Sequence, residues 1–252
     1  MFSIIVCSIN PARFAAVKAM YTAAMGDEPW ELIGIHDARS LAEGYNRGFA
    51  ASRGEIIIFS HDDVEVLNPG LPGRLRGHLK KNDLLGVAGT TKLIHSAWVW
   101  AAYPHIYGQV ACPLEDGKIR VNIWAVPAPV VESIQAIDGV FMAARRSLLD
   151  RVRFDAATFD GFHHYDLDFS YGAHRAGFKV CVANDIGLLH ISQGAFGETW
   201  AQSAKRFNEK WFPGTAITPF PTFSIGCIEV ENRAKAMEVM SPPHWTQKSD
   251  GR

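Results

Sequence analysis

The chain has no Cys-x-x-Cys pair, no excess of either charge and no apolar run of membrane-spanning length. Its four cysteines, Cys7, Cys112, Cys181 and Cys227, are scattered, which argues against a disulfide framework or a zinc ribbon. Three of them lie in apolar, strand-like stretches and are expected to be free thiols of a reducing compartment. The formal net charge of −1 supplies neither a basic field for nucleic acid nor an acidic tail, so no nucleic-acid partner is expected. Residues Met1 to Ile9 carry no positive n-region and no cleavage site. No later run reaches the ~20 apolar residues of a spanning helix. A cytoplasmic protein without a membrane span is the expectation, with peripheral membrane contact left open. What remains is ordinary for a globular chain: 252 residues, 48% hydrophobic and 20% charged, enough for one large packed domain with an extension.

The stretch from Gly54 to Val64 organises the rest. Ile56 to Phe59 is a continuous apolar run, which fits a strand buried on both faces of a parallel sheet. It stops at His61, Asp62 and Asp63. Ligands of an open α/β sheet bind just beyond the carboxyl ends of its strands. Carboxylates beside an imidazole suit Mg2+ or Mn2+, which in turn hold nucleotide phosphates. The same aspartates would also serve as turn caps.

Around that stretch, strands and helices alternate. Phe2 to Ile9 reads as a strand and Asn10-Pro11 as a helix start, with Phe14, Val17, Tyr21 and Met25 on one face. Trp30 to His36 is a second strand, placing Asp37 at its end. Ser40-Leu41-Ala42-Glu43 is a capping box that opens a helix carrying Asn46 toward the open end of the sheet. Pro69 to Lys81 reads as a helix and Leu84 to Gly89 as a single strand. Between 93 and 129 the composition changes: Trp98, Trp100, Tyr103, Tyr107 and Trp124 surround two alternating runs that flank residues 113–117, a hairpin signature. Those rings would cover a small lobe, or stack on the apolar face of a sugar. The core resumes through residues 130–146. Asp166 and Asp168 fall in the first turn of a helix, where carboxylates meet the positive end of its dipole. Phe178 to Ala183 and Gly187 to His190 are strands, the second ending at an edge. Residues 193–198 read as a lid and 198–210 as a helix. Residues 219–221 read as extended chain, 223–230 as an edge strand and the remainder as a polar tail, a candidate for oligomerisation. The pattern is that of a layered α/β domain with a largely parallel sheet.

Five pieces in order carry a family likeness: Asn46-Arg47-Gly48-x5-Gly54-Glu55, His61-Asp62-Asp63, Asp138-Gly139-Val140-Phe141-Met142-Ala143-x-Arg145-Arg146, Phe162-His163-His164-Tyr165-Asp166-Leu167-Asp168-Phe169 and His190-Ile191-Ser192-x-Gly194. With them the chain, from Phe2 to Trp211, resembles the family 2 glycosyltransferases of the GT-A fold, in particular the bacterial branch related to streptomycin-biosynthesis transferases. The resemblance implies a three-layer α/β sandwich with a central, mostly parallel sheet and a small β-hairpin insert. It implies one catalytic domain over residues 1–212, with the aromatic-rich insert at 93–129 and an extension at 213–252.

The resemblance further implies transfer of a sugar from a nucleotide-diphospho-sugar to a glycan or small-molecule acceptor. The reaction would invert configuration, use Mn2+ or Mg2+, and serve bacterial polysaccharide or glycoconjugate assembly. On it, Asp63 takes the place of the last carboxylate of an Asp-x-Asp motif, His61 replaces the first, and His190 falls where some relatives have a further metal ligand. Asp166 takes the place of the general base, with Tyr165 where a Glu is usual. Asp37, Asn46, Asp62 and Asp63 would meet the donor; Trp98, His163, His164 and Asp168 would meet the acceptor. The two departures, His61 and Tyr165, motivate an alternative: a nucleotide- or sugar-binding protein that kept the fold and lost turnover.

Overall fold

A computed structural model of the chain describes residues 1–192, 194, 196–215 and 226–241. Strand β1 (Phe2–Cys7), helix α1 (Pro11–Met25), β2 (Trp30–Ile35), α2 (Leu41–Ala51) and β3 (Ile56–Ser60) alternate as the hydrophobic pattern predicts. Each helix start has a local cause. Asn10 Oδ1 accepts from the amides of Ala12 and Arg13, and Ser40 Oγ accepts from the Glu43 amide, supplying partners for amides that the helix leaves free. Helix α2 lies so close on β1 that a Cβ at Gly48 would stand 2.2 Å from Ile5 Cγ2.

The chain continues through β4 (Val64–Val66), α3 (Leu71–Leu79), β5 (Leu84–Gly86), β6 (Ala88–Thr90), β7 (Ile106–Pro113), β8 (Ile119–Ile123), β9 (Val130–Val131), β10 (Ala136–Ile137) and β11 (Phe141–Arg145). It ends with α4 (Arg146–Leu149), α5 (Tyr165–Arg175), β12 (Val180–Ala183), β13 (Leu188–His190), α6 (Glu198–Trp211), β14 (Gly226–Val230) and α7 (Arg233–Met240).

The central sheet has the order β2-β1-β3-β11-β5-β12-β9. Only β11 and β9 run against the other five strands. Both faces are covered, and adjacent residues of each strand go to opposite sides. Phe2, Ile4, Ile56, Ile58 and Phe141 pack with Val17 and Tyr21 of α1 and Leu71 and Leu75 of α3. Ile5, Ile57, Phe59, Met142 and Ala144 pack with Tyr45 and Phe49 of α2 and Phe169 of α5. This is the three-layer α/β sandwich that the sequence implies, and it explains why Ile56–Phe59 is apolar at every position.

A second sheet, β10-β6-β7-β13-β4, is extended by β8 on β7 and β14 on β8. Strands β7 and β8 form the expected hairpin. The run from Leu84 to Gly89, expected as one strand, is two: β5 lies in the central sheet, β6 in the second, and the chain crosses at buried Val87. Apolarity does not register the crossing, because both sheets bury these residues. The polar tail expected after residue 230 instead holds α7, whose Ala236 and Met240, one turn apart, pack with Ala111, Val121 and Leu189. Gln109 Nε2 donates to the carbonyls of Met240 and Asn184 from within this contact. The extended segment at 219–221, residues 223–225 of the expected edge strand and the last eleven residues, 242–252, lie outside the described residues. All four cysteines are free, with Cys112 and Cys181 buried and Cys227 exposed on β14. Among the described residues no helix is long and apolar enough to cross a membrane.

Candidate functional site

Strand β3 ends at Ser60, so His61, Asp62 and Asp63 stand at the carboxyl edge of the central sheet. Strand β13 delivers a second imidazole to the same place. It pairs antiparallel with β4, setting His190 opposite Val64, and the Ile191 amide donates to the Asp63 carbonyl at 2.9 Å. His190 Nε2 then lies 3.2 Å from Asp63 Oδ1 and 3.3 Å from His61 Nδ1. One ligand atom from each of His61, Asp63 and His190 falls within 4.8 Å of the others. Two ring nitrogens and a carboxylate oxygen converging in this way fit a divalent cation.

The electrostatics agree with that fit. Burial alone would raise the Asp63 carboxyl, but hydrogen bonds from the His190 ring and the Ser192 amide hold it well below the usual carboxylate range. Burial, reinforced by neighbouring His190, pushes His61 down, so its ring is neutral and has a lone pair to offer. On its far side, His61 Nε2 is 2.9 Å from the Tyr165 hydroxyl. That hydroxyl also lies 3.3 Å from the Gly139 carbonyl oxygen, to which it can donate.

Asp166 occupies the first turn of α5. The Gly139 amide donates to its Oδ2 at 2.8 Å. A Cβ at position 139 would stand 2.4 Å from the Tyr165 hydroxyl and 2.7 Å from Asp166 Cβ, so only glycine admits this approach. Burial first, then the charge of Asp138, raises Asp166 to about 7. Asp138 is itself fixed, accepting from Trp98 Nε1 at 3.1 Å and from the Val140 amide at 3.0 Å.

His61, His190, Asp138 and Asp166 line a cleft of about 540 Å³. Its walls are aromatic, from Trp98, Trp124, Phe162, Phe196 and Trp200, and no lysine or arginine lines it among the described residues. Asp62 and Asp63 line a neighbouring groove of about 620 Å³ with Arg13, Met20 and Ile191. There Ser8 Oγ, just past β1, donates to Asp62 Oδ2 at 2.6 Å, and Arg13 stands 3.8 Å from the same carboxylate. The three residues of the cation cluster thus sit on the partition between cleft and groove.

The remaining predicted residues are placed less uniformly. Asp37 is exposed past the end of β2, and its hydrogen bond and ion pair with Arg47 at 2.8 Å hold it below the usual range. Asn46, expected at the donor, uses its amide otherwise: it donates to the Phe154 carbonyl at 2.8 Å and accepts from the Phe154 amide at 3.3 Å, because α2 packs on that loop. His163 and His164 both line the cleft. His164 has φ 63° and a ring set between Trp200 and Phe207, where burial pushes it to about 3. Asp168, expected at the acceptor, is not among the cleft residues. Two positions beyond Asp166 on a helix is a different face, and there its Oδ1 accepts from Trp211 Nε1 and Lys210 Nζ, each at 2.7 Å, anchoring α6. The lid expected over residues 193–198 includes Gln193 and Ala195, which lie outside the described residues. Sequence reasoning missed Asp138 and Trp200 as cleft residues, and had Trp124 only as one of the rings of the insert. Asp138 stood inside a recognised motif, but only its contacts with Trp98 and its charge beside Asp166 show what it does.

Comparison with known proteins fits this geometry. A family model described as a glycosyltransferase-like family matches residues 3–211. No curated protein matches the chain in a sequence search. Among solved structures, GalNAc-T7 with UDP, GalNAc and Mn2+ is similar at a TM-score of 0.54 and 11% identity over 85% of this chain and 48% of that one. The mannosyltransferase PcManGT from Pyrobaculum calidifontis, in complex with GDP-Man and Mn2+, gives a TM-score of 0.48 and 11% identity over 77% of this chain and 58% of that one. The chain spans about half the length of the first of these, and that likeness establishes the GT-A fold.

Proposed function

Since the chain belongs to this glycosyltransferase-like family, we propose that it moves a sugar from a nucleotide-diphospho-sugar to an acceptor hydroxyl, with inversion. The carrying observation is convergence. A cation-ready cluster of His61, Asp63 and His190 and a carboxylate raised to about 7, Asp166, meet at one aromatic cleft.

A divalent cation bound at the cluster would offset the negative charge that builds on a departing nucleoside diphosphate. Two imidazoles among three ligands favour a transition-metal ion such as Mn2+ over Mg2+, which prefers an all-oxygen shell. The donor's nucleotide would lie along the carboxyl ends of β1, β2 and β3, where Asp37, Asp62 and Asp63 stand. Asn46 would hold the loop at Phe154 in place and not touch the donor. Asp166 is the base: a carboxylate that titrates near neutrality takes a hydroxyl proton better than an ordinary one while still being ionised often enough to act. Trp98, His163 and His164 belong to the acceptor side. A sugar ring can stack on the aromatic walls, and their lack of cationic side chains favours a neutral glycan or small-molecule acceptor.

Residues 1–212 form the catalytic unit on this reading, and residues 213–252 an extension whose described part packs back on the second sheet. The five ordered motifs support a role in bacterial polysaccharide or glycoconjugate assembly. Asp166→Asn tests the assignment: transfer to acceptor falls by about 10²–10⁴-fold, while calorimetric affinity for the nucleotide with Mn2+ is kept. Undiminished turnover in that variant would remove Asp166 from the chemistry.

A further inference from the structure

The two residues that depart from the family's pattern, His61 and Tyr165, are 104 positions apart in the chain and touch each other at 2.9 Å. From this we propose that Tyr165 is a positioning residue for the cation site: its hydroxyl accepts from His61 Nε2–H and donates to the Gly139 carbonyl, which leaves the His61 Nδ1 lone pair directed at His190 and Asp63. This rests on the cation cluster of the proposed function and adds to it the residue that makes His61 a ligand.

Proton counting decides which ring nitrogen of His61 is free. A neutral imidazole has one N–H and one lone pair, so the partner of one nitrogen decides what the other can do. For His61 to bind a cation through Nδ1, the atom 3.3 Å from His190 Nε2, its proton must sit on Nε2. The group facing Nε2 must then accept. A phenol can accept only if its own proton has somewhere else to go. The Gly139 carbonyl, 3.3 Å from the hydroxyl, is such a place, since a carbonyl only accepts. Position 139 is held to glycine by the same contact, a Cβ there standing 2.4 Å from the hydroxyl. The phenol is buried at 4% exposure. A glutamate in Tyr165's place would add a further acidic group beside Asp166, which already has Asp138 next to it. With Tyr165 the position carries no charge, and position 61 carries an imidazole whose proton is placed.

The test is Mn2+ binding followed by calorimetry and by the electron paramagnetic resonance signal of free Mn2+, in wild type, Tyr165→Phe, His61→Asp and the double variant. Losing an outer hydrogen bond to a ligating histidine weakens metal binding by about 10–100-fold, and that loss is expected for Tyr165→Phe. In the His61→Asp background, where no ring proton has to be placed, Tyr165→Phe should leave the Kd unchanged. Ring nitrogen chemical shifts of His61 in the metal-free protein should show the Nε2–H form in wild type and a mixture in Tyr165→Phe. An unchanged Kd in Tyr165→Phe, or an equal loss in both backgrounds, would overturn the inference while leaving the cation site standing. A wild-type protein that binds no Mn2+ would instead overturn the site itself, and this inference with it.

Discussion

At the scale of single residues, the proposed chemistry turns most on Asp166, whose environment would set activity as well as stability. Its carboxyl is raised to about 7, by burial and then by Asp138, so the fraction able to accept a proton grows through neutrality. Turnover is therefore expected to rise as pH climbs through about 7 and then level off, a limb that a pH–rate profile would show. The stability sign is opposite. A free aspartate titrates at about 3.9, so the folded state holds the proton more tightly than the unfolded one. That stabilisation is complete below about pH 4 and is lost as pH rises through 7. Asp166→Asn should accordingly melt higher than wild type above neutrality while losing turnover, the trade expected where a functional group is held in a destabilising environment. Equal melting temperatures on both sides of neutrality would contradict the buried, raised carboxyl.

How much of this site the sequence disclosed also divides by residue. His61 and Asp63 could be picked out from their place at the end of a buried strand, whereas His190 and Asp166 were pointed to by the family resemblance; the structure brings His61, Asp63 and His190 into one cluster. Asp168 misled because a short motif gives spacing without facing; two positions along α5 turn it toward Lys210 and Trp211. Asn46 misled because a polar residue near an open edge can be held by backbone, as Phe154 holds it. Tyr165's contact with His61 could not be read at all, since no local pattern reports which side chains a fold brings together over such a distance.

At the scale of elements, the packing of α2 on β1 depends on one glycine. Gly48 lets the helix approach until Ile5 Cγ2 fills the place a Cβ would take, at 2.2 Å. Gly48→Ala should cost about 1–3 kcal/mol by overpacking, read from urea denaturation, although alanine is the better helix former. An unchanged midpoint would mean that the helix can lift without cost. The alternation of β1, α1, β2, α2 and β3 was plain in the sequence because the helices bury one face at helical spacing while β1 and β3 are apolar nearly throughout, being buried on both faces. The crossing at Val87 and the helix α7 were not. Three-residue strands carry no periodicity to detect, and the apolar residues of α7, Ala234, Ala236, Met237, Val239 and Met240, do not mark out one face, although only Ala236 and Met240 are buried. Met240→Ala removes the larger of these from a fully buried position and is expected to destabilise by about 2–5 kcal/mol, measured by the same denaturation. A change near zero would separate α7 from the folded core.

At the scale of the whole molecule, a mostly parallel sheet covered by helices on both faces brings its strand ends to one edge, and a second sheet returns His190 to meet them. The cation cluster lies where the two sheets meet, between a groove lined by Asp62 and an aromatic cleft lined by Asp166. A donor and an acceptor approaching from those two sides would find the cluster between them, which is the arrangement a sugar transfer needs. The measurement that tests this most directly is calorimetric binding of UDP, GDP, dTDP and CMP, each with Mn2+ and again with chelator, in wild type and Asp63→Ala. The account predicts tight binding of one nucleotide that depends on the metal and disappears in Asp63→Ala. Binding that survives both chelator and the substitution, or no binding of any nucleotide by folded protein, would contradict it.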